Sequence, residues 1–488
     1  MTEKFRKSLL TLGAIVIIGG GFAAWIIRGN PSSEKFSQFE GVNPRIVDPQ
    51  WEKIPSVGIA TPIGWAAGES PVVAAGLKVS RFAEGLDHPR TMLSLPNGDI
   101  LVVETGAPPA NDPGGVTGFF QRHLMRFAGA GGESPNRLVL LRDTDGTAKA
   151  AQHFVLRHDG LASPSGMAYA NGRLYVANHD AVLMFDYALG ATQITGNPTK
   201  IMDLPPKGNH WMRNLLLSPN GKLLYVAVGS ASNIGERGMD AEKGRAAIFE
   251  IDLATKSSRQ FAGGIRNANG LDWNPSTGEM WTTVNERDQV GPDLVPDYLS
   301  NVPVGAHYGW PWVYWKNIVD RRVEAPMPEF LTDYTRKPEY ALGPHVAALG
   351  LAFARGGEKM GSNFANGAFI ARHGSWNRKP PSGYDVVFVQ FDKNGNPKGQ
   401  PVPVLTGFLT GTGKTHGRPT WVAWAKDGAL LVSDDTAGII WRVIAPNAVA
   451  SPTIHPVIAE KMPPQREINS DMEQRYGAIF KKDSKVKQ

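Results

Sequence analysis

The chain has 488 residues, a formal net charge of +6 and no cysteine. The absence of cysteine excludes disulfides, thiolate metal sites, thiol nucleophiles and covalently attached c-type haem. The charge is mild for this length, and no run interleaves basic with aromatic residues, so nucleic acid is not an expected partner. With 55 glycines and 37 prolines, the composition suits many short strands joined by tight turns better than it suits a helix bundle.

At the N-terminus, Lys4, Arg6 and Lys7 precede an apolar stretch over residues 9–27, closed by Arg28. As a helix, a stretch of about 19 residues spans most of a hydrocarbon core of roughly 30 Å. The basic flank places residues 1–8 in the cytoplasm and everything after residue 27 outside. The expectation is a transmembrane helix that stays attached as a single-pass anchor in an inner membrane, with the remainder in the periplasm. The alternative is a cleaved signal peptide and release to the periplasm. Signal peptides usually have a shorter apolar region and a small-x-small site, whereas here Ala23-Ala24 is followed by bulky Trp25, Ile26 and Ile27. Gly19-Gly20-Gly21 follows no separate strand and opens no βαβ unit, so it is not read as a dinucleotide loop. Residues 28–77 are rich in Pro, Ser and Gly and read as a linker.

From residue 78 a unit recurs: an apolar strand, a turn with glycine, and a second apolar strand. The copies are RTMLSLPNGDILVVE, SGMAYANGRLYVAN, RNLLLSPNGKLLYVAVG, NGLDWNPSTGEMWTTVNE, LGLAFARGGEKMGSNFANGAFIARHG and PTWVAWAKDGALLVSDD. Their glycines are Gly98, Gly172, Gly221, Gly278, Gly367 and Gly428, at intervals of 49 to 89 residues. Asn-Gly or Asp-Gly between apolar runs is the strongest short hairpin signal. The intervals suit four-stranded propeller blades with loop insertions. Six copies predict an all-β, six-bladed β-propeller over 78–447, and a C-terminal tail over 448–488. AAIFEID (246–252) and DVVFVQFD (385–392) fall between copies, where outer blade strands belong.

In a propeller the innermost strand of each blade lines the central channel. Residues just before the first strand of each copy therefore gather at one mouth. They are His88-Pro89-Arg90, Ser163-Pro164-Ser165, His210 to Asn214, Arg266 to Asn269, His345-Val346 and Gly417-Arg418-Pro419. Arg90, Arg213, Arg266 and Arg418 form a predicted cation ring for a polycarboxylate or phosphate, because guanidinium forks pair with carboxylates. His210 is the candidate general base, since an imidazole can take a hydroxyl proton near neutral pH. His345 and His373 are further candidates. The segment from Asn285 to Asp297 carries Glu286, Asp288 and Asp293, oxygen ligands of the kind Ca²⁺ takes from loops. Asp434-Asp435 reads as a strand-end turn. No G-x-S-x-G elbow, H-E-x-x-H helix or P-loop is present.

The stretches GLDHPR, NHWMRNLLLSPNGKLLYVAVGS, GIRNANGLDWNPSTGEMW, NERD, GPDLVPDYL, GAHYGWPW, RHGSWNR and GRPTWVAWAKDGALLVSDD resemble the glucose/sorbosone dehydrogenases that depend on pyrroloquinoline quinone (PQQ). The resemblance covers roughly residues 78 to 445. It implies a six-bladed propeller holding PQQ and Ca²⁺ at the channel mouth, with His210 as the base that takes the substrate proton. It places Arg266-Asn267 and Arg418 among the cofactor-binding residues. The sequence departs from the family where Glu286-Arg287-Asp288 replaces a Gln-Gly-Pro segment, and where His373 to Arg378 occupies the region of a fifth-blade lysine. A second arginine near Arg418 is replaced by Thr420. The expected activity is oxidation of an aldose, a sorbosone-like sugar or a related hydroxy compound, with electrons leaving to a respiratory quinone or cytochrome. The alternatives are a calcium-dependent lactonase and a cell-surface propeller that binds an anionic glycan or partner without catalysis.

Overall fold

In a computed structural model the chain is described over residues 30–52, 56–108, 133–206 and 208–456. Six antiparallel sheets of four principal strands are arranged around a central axis. Blade 1 comprises Pro89–Ser94, Ile100–Glu104, Arg137–Arg142 and Gln152–Arg157. Blade 2 comprises Gly166–Ala170, Arg173–Ala177, Ala181–Asp186 and Thr199–Asp203. Blade 3 comprises Leu215–Leu217, Leu223–Val228, Ala247–Asp252 and Ser258–Gly263. Blade 4 comprises Ala268–Trp273, Met280–Val284, Pro296–Asn301 and Tyr340–Pro344. Blade 5 comprises Ala348–Phe353, Gly367–Arg372, Asp385–Phe391 and Pro397–Thr406. Blade 6 takes Pro419–Trp424, Leu430–Asp434 and Ile439–Ile444 from the end of the repeat. Its outer strand is Lys78–Ala83, from before blade 1. That borrowed strand ties the two ends of the repeat together and leaves the ring no gap.

The six sequence copies are the first two strands of the six blades. Five of the hairpin glycines hold left-handed φ between 67° and 99°. In blade 5, Asn366-Gly367 instead opens the second strand, after a longer connection containing a short 3₁₀ turn over Ser362–Phe364. Second strands such as Ile100–Glu104 and Leu430–Asp434 are buried at every residue, because neighbouring blades cover both faces. This explains their continuous apolar runs in place of alternation. Each fully buried Leu, Val or Ile contributes roughly 1.5–3 kcal/mol. Outer strands such as Thr199–Asp203 are mostly exposed.

First strands of successive blades touch one another around the axis. Glycine makes this closeness sterically allowed. A Cβ on Gly270 of blade 4 would lie 2.4 Å from the Leu349 carbonyl of blade 5, and one on Gly350 would lie 2.6 Å from Trp421 Cα of blade 6.

Residues 30–77 are not the free linker that their composition suggests. Phe39 is fully buried. Glu40–Gly41 extends the outer edge of blade 4, and Val72–Val73 that of blade 5. Thr61–Pro62 pairs in parallel with Lys414–Thr415. This strap covers two sheet edges that would otherwise present unpaired backbone groups. At the other end, Ser451 and Ile454 hydrogen-bond to the turn at Arg355–Glu358, so the tail begins docked. The apolar stretch at 9–27 lies outside the described residues. Among the described residues no helix is long and apolar enough to cross a membrane.

Candidate active site at the channel mouth

The mouth is built from two sets of loops: those entering first strands and those leaving second strands. The entering loops bring in Arg90, His210, Arg266, His345 and Arg418, as the repeat predicts. The leaving loops bring in Ser230, Asp288, His373 and Asp435. Two clusters result.

The first cluster centres on His210. Its Nδ1 lies 2.9 Å from both the carbonyl and the hydroxyl oxygen of Ser230. The carbonyl can only accept, so Nδ1 carries the proton and Nε2 keeps its lone pair. Burial, then the nearby charge of Arg266, pulls the imidazole down to about 3, so the ring is neutral at physiological pH. Close approach here depends on Gly229: a Cβ would fall 2.6 Å from His210 Cβ and 2.3 Å from Asn267 Oδ1.

Arg266 is 4% exposed and all its donors are engaged by the protein. Nε donates to the Asn233 carbonyl, Nη1 to the carbonyls of Asn285 and Glu286, and Nη2 to Asn233 Oδ1 and Asp288 Oδ2. Its guanidinium, predicted to clamp a ligand carboxylate, is here engaged by the protein and shapes the loop beside His210. Asn267 donates to Asn285 Oδ1 at 3.3 Å. His345 has both ring nitrogens against acceptors, Asp288 Oδ1 at 3.3 Å and the Gly291 carbonyl at 3.1 Å. Burial alone would lower its pKa, but the Asp288 carboxylate outweighs this and raises it. Asp288 is held low in turn, burial being outweighed by the His345 bond and the Arg266 charge. His345 and Ala347 sit at φ of 59° and 52°, and the Ala347 N–H donates to Asp297. Asp297 also accepts from the Glu286 N–H, and burial pushes its carboxyl up to about 7.

Arg213, also predicted for the cation ring, is enclosed by the protein. It is fully buried, and its guanidinium donates to the carbonyls of His210, Met212 and Pro205. Burial and the like charge of Arg245 lower it to about 9. It braces the turn that carries His210 and does not line the mouth.

The second cluster joins blades 1, 5 and 6 around Asp435. The Asp435 carboxylate takes Arg90 Nη1 at 2.6 Å and His373 Nε2 at 2.9 Å. Arg418 adds its charge nearby, and donates to the carbonyls of His373 and Gly374. Burial would raise the Asp435 carboxyl, but His373 and the two arginines hold it far below the ordinary range. Burial and Arg418 push His373 down to about 4, so it is neutral. Two guanidinium groups thus lie near one carboxylate, and Arg90 is the one that bonds to it. Arg90 Nε is buried with no hydrogen-bond partner, and its plane faces Trp211 at 5.6 Å. Both side-chain amide atoms of Asn214, beside the channel, are likewise unsatisfied. A buried donor without a partner is costly. An anion with several carboxylates would satisfy it and balance the excess positive charge. Asp435, read from sequence as a turn residue, is the hub of this cluster. Its signal was position: it directly follows a second strand, as Asn285 and His373 do.

The expected metal ligands do not converge. Glu286 accepts from Arg287, Asp288 from Arg266 and His345, and Asp293 from Arg378 and Ser32. Among the described residues no group of three or more His, Asp or Glu could hold a metal ion. These three carboxylates therefore do not fit a common Ca²⁺ site, because each is neutralised by a different cation.

A six-bladed propeller with a neutral, oriented histidine and an arginine pair at its mouth defines the class. A family model described as TrAA12-like matches residues 133–300 and 329–446, and the chain belongs to this family. An uncharacterized protein of Borreliella burgdorferi is 29% identical over 297 residues, 58% of this chain and 76% of that protein. A PQQ-dependent pyranose dehydrogenase of Coprinopsis cinerea is 26% identical over 446 residues, 79% of this chain. The match spans only 55% of that longer relative. The holo form of the pyranose dehydrogenase PQQ domain from Coprinopsis cinerea superposes with a TM-score of 0.60 at 22% identity, covering 79% of this chain and all of that domain. The likeness establishes the propeller fold and agrees with the resemblance read from the motifs.

Proposed function

We propose that the chain is a PQQ-dependent dehydrogenase of an aldose or a related hydroxy compound. The observation that carries this reading is His210, a neutral imidazole whose Nδ1 is fixed by Ser230 so that Nε2 is left as a base. Arg90 and Arg418 would hold the carboxylates of PQQ, and Asp435 would keep the two guanidinium groups from repelling each other. PQQ, when bound, supplies the two-electron acceptor.

Within this scheme the protein's own groups have distinct tasks. His210 Nε2 takes the proton of the substrate hydroxyl as the carbon beneath it is oxidised. Ser230 holds the ring so that no tautomer change is needed. Arg266 holds the Asp288 loop against His210, and its positive charge helps keep the imidazole neutral until the proton arrives. No step is assigned to a metal. We further propose that residues 9–27 anchor the protein in the inner membrane with the propeller in the periplasm, near a quinone or cytochrome acceptor.

The test is titration of the full chain with PQQ, followed by dye reduction against a panel of aldoses. Saturable binding with sugar-dependent reduction is expected. Absence of PQQ binding would sink the dehydrogenase reading and leave a propeller that has kept the family's shape without its chemistry.

A further inference from the structure

The strap does more than cover sheet edges: it determines where the chain meets the propeller. The Ser32 N–H donates to the Lys379 carbonyl at 2.7 Å, and its hydroxyl to Asp293 at 2.7 Å. The Asn30 N–H donates to Ser56 at 2.7 Å. Asp293 lies in the loop leaving the second strand of blade 4, and Lys379 in the loop leaving that of blade 5. Both are mouth loops, and Arg378 joins them through its 3.0 Å ion pair with Asp293. The described chain therefore begins beside the mouth. At roughly 3.3–3.6 Å per residue, the chain from Arg28 to Ser32 reaches at most about 14 Å.

The same face carries the two exposed tryptophans of the described residues. Trp51 is 45% exposed and Trp376 is 44% exposed. The residue after each is fastened to one mouth residue, Gln289. The N–H of Glu52, next to Trp51, donates to the Gln289 carbonyl at 3.1 Å. The Gln289 N–H donates to the side chain of Asn377, next to Trp376, at 2.8 Å. Arg322, which donates to the Asp288 and Gln289 carbonyls, supports the Trp51 ring from below at 5.3 Å. Tryptophan favours the boundary between lipid and water, where its ring is apolar and its N–H is wet.

We propose that the mouth face of the propeller lies against a lipid bilayer surface, with Trp51 and Trp376 at the interface. The proposal rests on residues 9–27 being embedded in that bilayer. The opposite face, which carries hairpin turns such as the one at Lys222, then points away. This orientation sets the oxidation site beside the lipid phase, within reach of a lipid-soluble electron acceptor.

Because the chain has no cysteine, single labels can be placed in the full-length protein. Ile15→Cys, Trp51→Cys, Trp376→Cys and Lys222→Cys would each carry a bimane fluorophore in phosphatidylcholine–phosphatidylglycerol vesicles. Fluorescence is compared with and without lipids bearing an acyl-chain nitroxide quencher. Strong quenching at position 15, at least twofold quenching at 51 and 376, and none at 222 are expected. Quenching at 15 with positions 51 and 376 as bright as 222 would overturn the orientation. No quenching at 15 would remove the anchor and the proposal with it. Neither reading depends on turnover, so a failure of the dehydrogenase assignment shows separately in dye reduction.

Discussion

The two halves of the mouth are made from the same repeat positions and yet differ in kind. On the His210 side, the two cations nearest the imidazole already have their acceptors: Arg266 is saturated by carbonyls, Asn233 and Asp288, and His345 by Asp288 and Gly291. On the Asp435 side, Arg90 and Arg418 lie near a single carboxylate that only Arg90 bonds, and Arg90 Nε has no partner. In the first half, a hydrogen-bonded network orients one imidazole. The second is left with spare positive charge. Burial shows where a cation is, but only its list of acceptors shows whether it is free to bind.

This contrast can be broken by substitution. His210→Asn should lower kcat by about 10²–10⁴, the usual contribution of a general base, while PQQ binding measured by absorbance titration is retained. Full activity in that variant would end the base assignment.

Arg266→Met should show itself in folding before it shows in ligand affinity. Removing one partner of a buried ion pair leaves an uncompensated charge at Asp288, at a cost of about 3–5 kcal/mol. Thermal and denaturant unfolding measure this. An unchanged melting temperature with lost PQQ affinity would mean that Arg266 touches the cofactor after all.

Arg418→Met should do the reverse, because the Arg90–Asp435 ion pair stays in place. It removes a charge-assisted donor of about 1.5–3 kcal/mol, so PQQ affinity should fall about tenfold to a hundredfold with a smaller loss of stability than in Arg266→Met. Equal stability losses on both sides of the mouth would dissolve the contrast between them.

The smallest effect is the pH response. His210 and His373 have folded values near 3 and 4, below the ordinary 6.5. Between those values and 6.5 the folded state binds fewer protons than the unfolded chain. Their contribution to stability is therefore complete above pH 6.5 and is lost as the pH falls through that window. Asp297, pushed up to about 7, acts in the opposite direction over the same range, so the histidine contribution is read by difference: as the pH falls from 7.5 to 4.5, the melting temperature of His373→Asn should move toward stability relative to that of the unsubstituted protein. The acid limb of kcat/KM should fall below pH 5. A limb centred near 6.5 would show that His210 titrates as a solvated imidazole does.

Much of the architecture was legible without coordinates. The Asn-Gly and Asp-Gly turns, the apolar runs on either side and their spacing are local signals, and they identified the paired inner strands of all six blades. The rule that first strands begin at the channel placed Arg90, His210, Arg266, His345 and Arg418 at one mouth. The strap at 30–77 was misread because its few strand residues are scattered among Pro, Ser and Gly, and each pairs with an edge far along the chain. Asp435 was misread because nothing local distinguishes a turn carboxylate from the hub of a cluster.

What the sequence by itself determined was the repeat, the number of blades and which residues approach the axis, since turn chemistry and apolar runs act between near neighbours. Only the tertiary structure decided which arginines are spent and which are spare, that Glu286, Asp288 and Asp293 part company, and that Lys78–Ala83 closes blade 6. Those outcomes depend on partners far apart in sequence. Arg90 and Asp435, 345 residues apart, meet only when the ring closes, and the charge left over at the mouth is fixed by that closure.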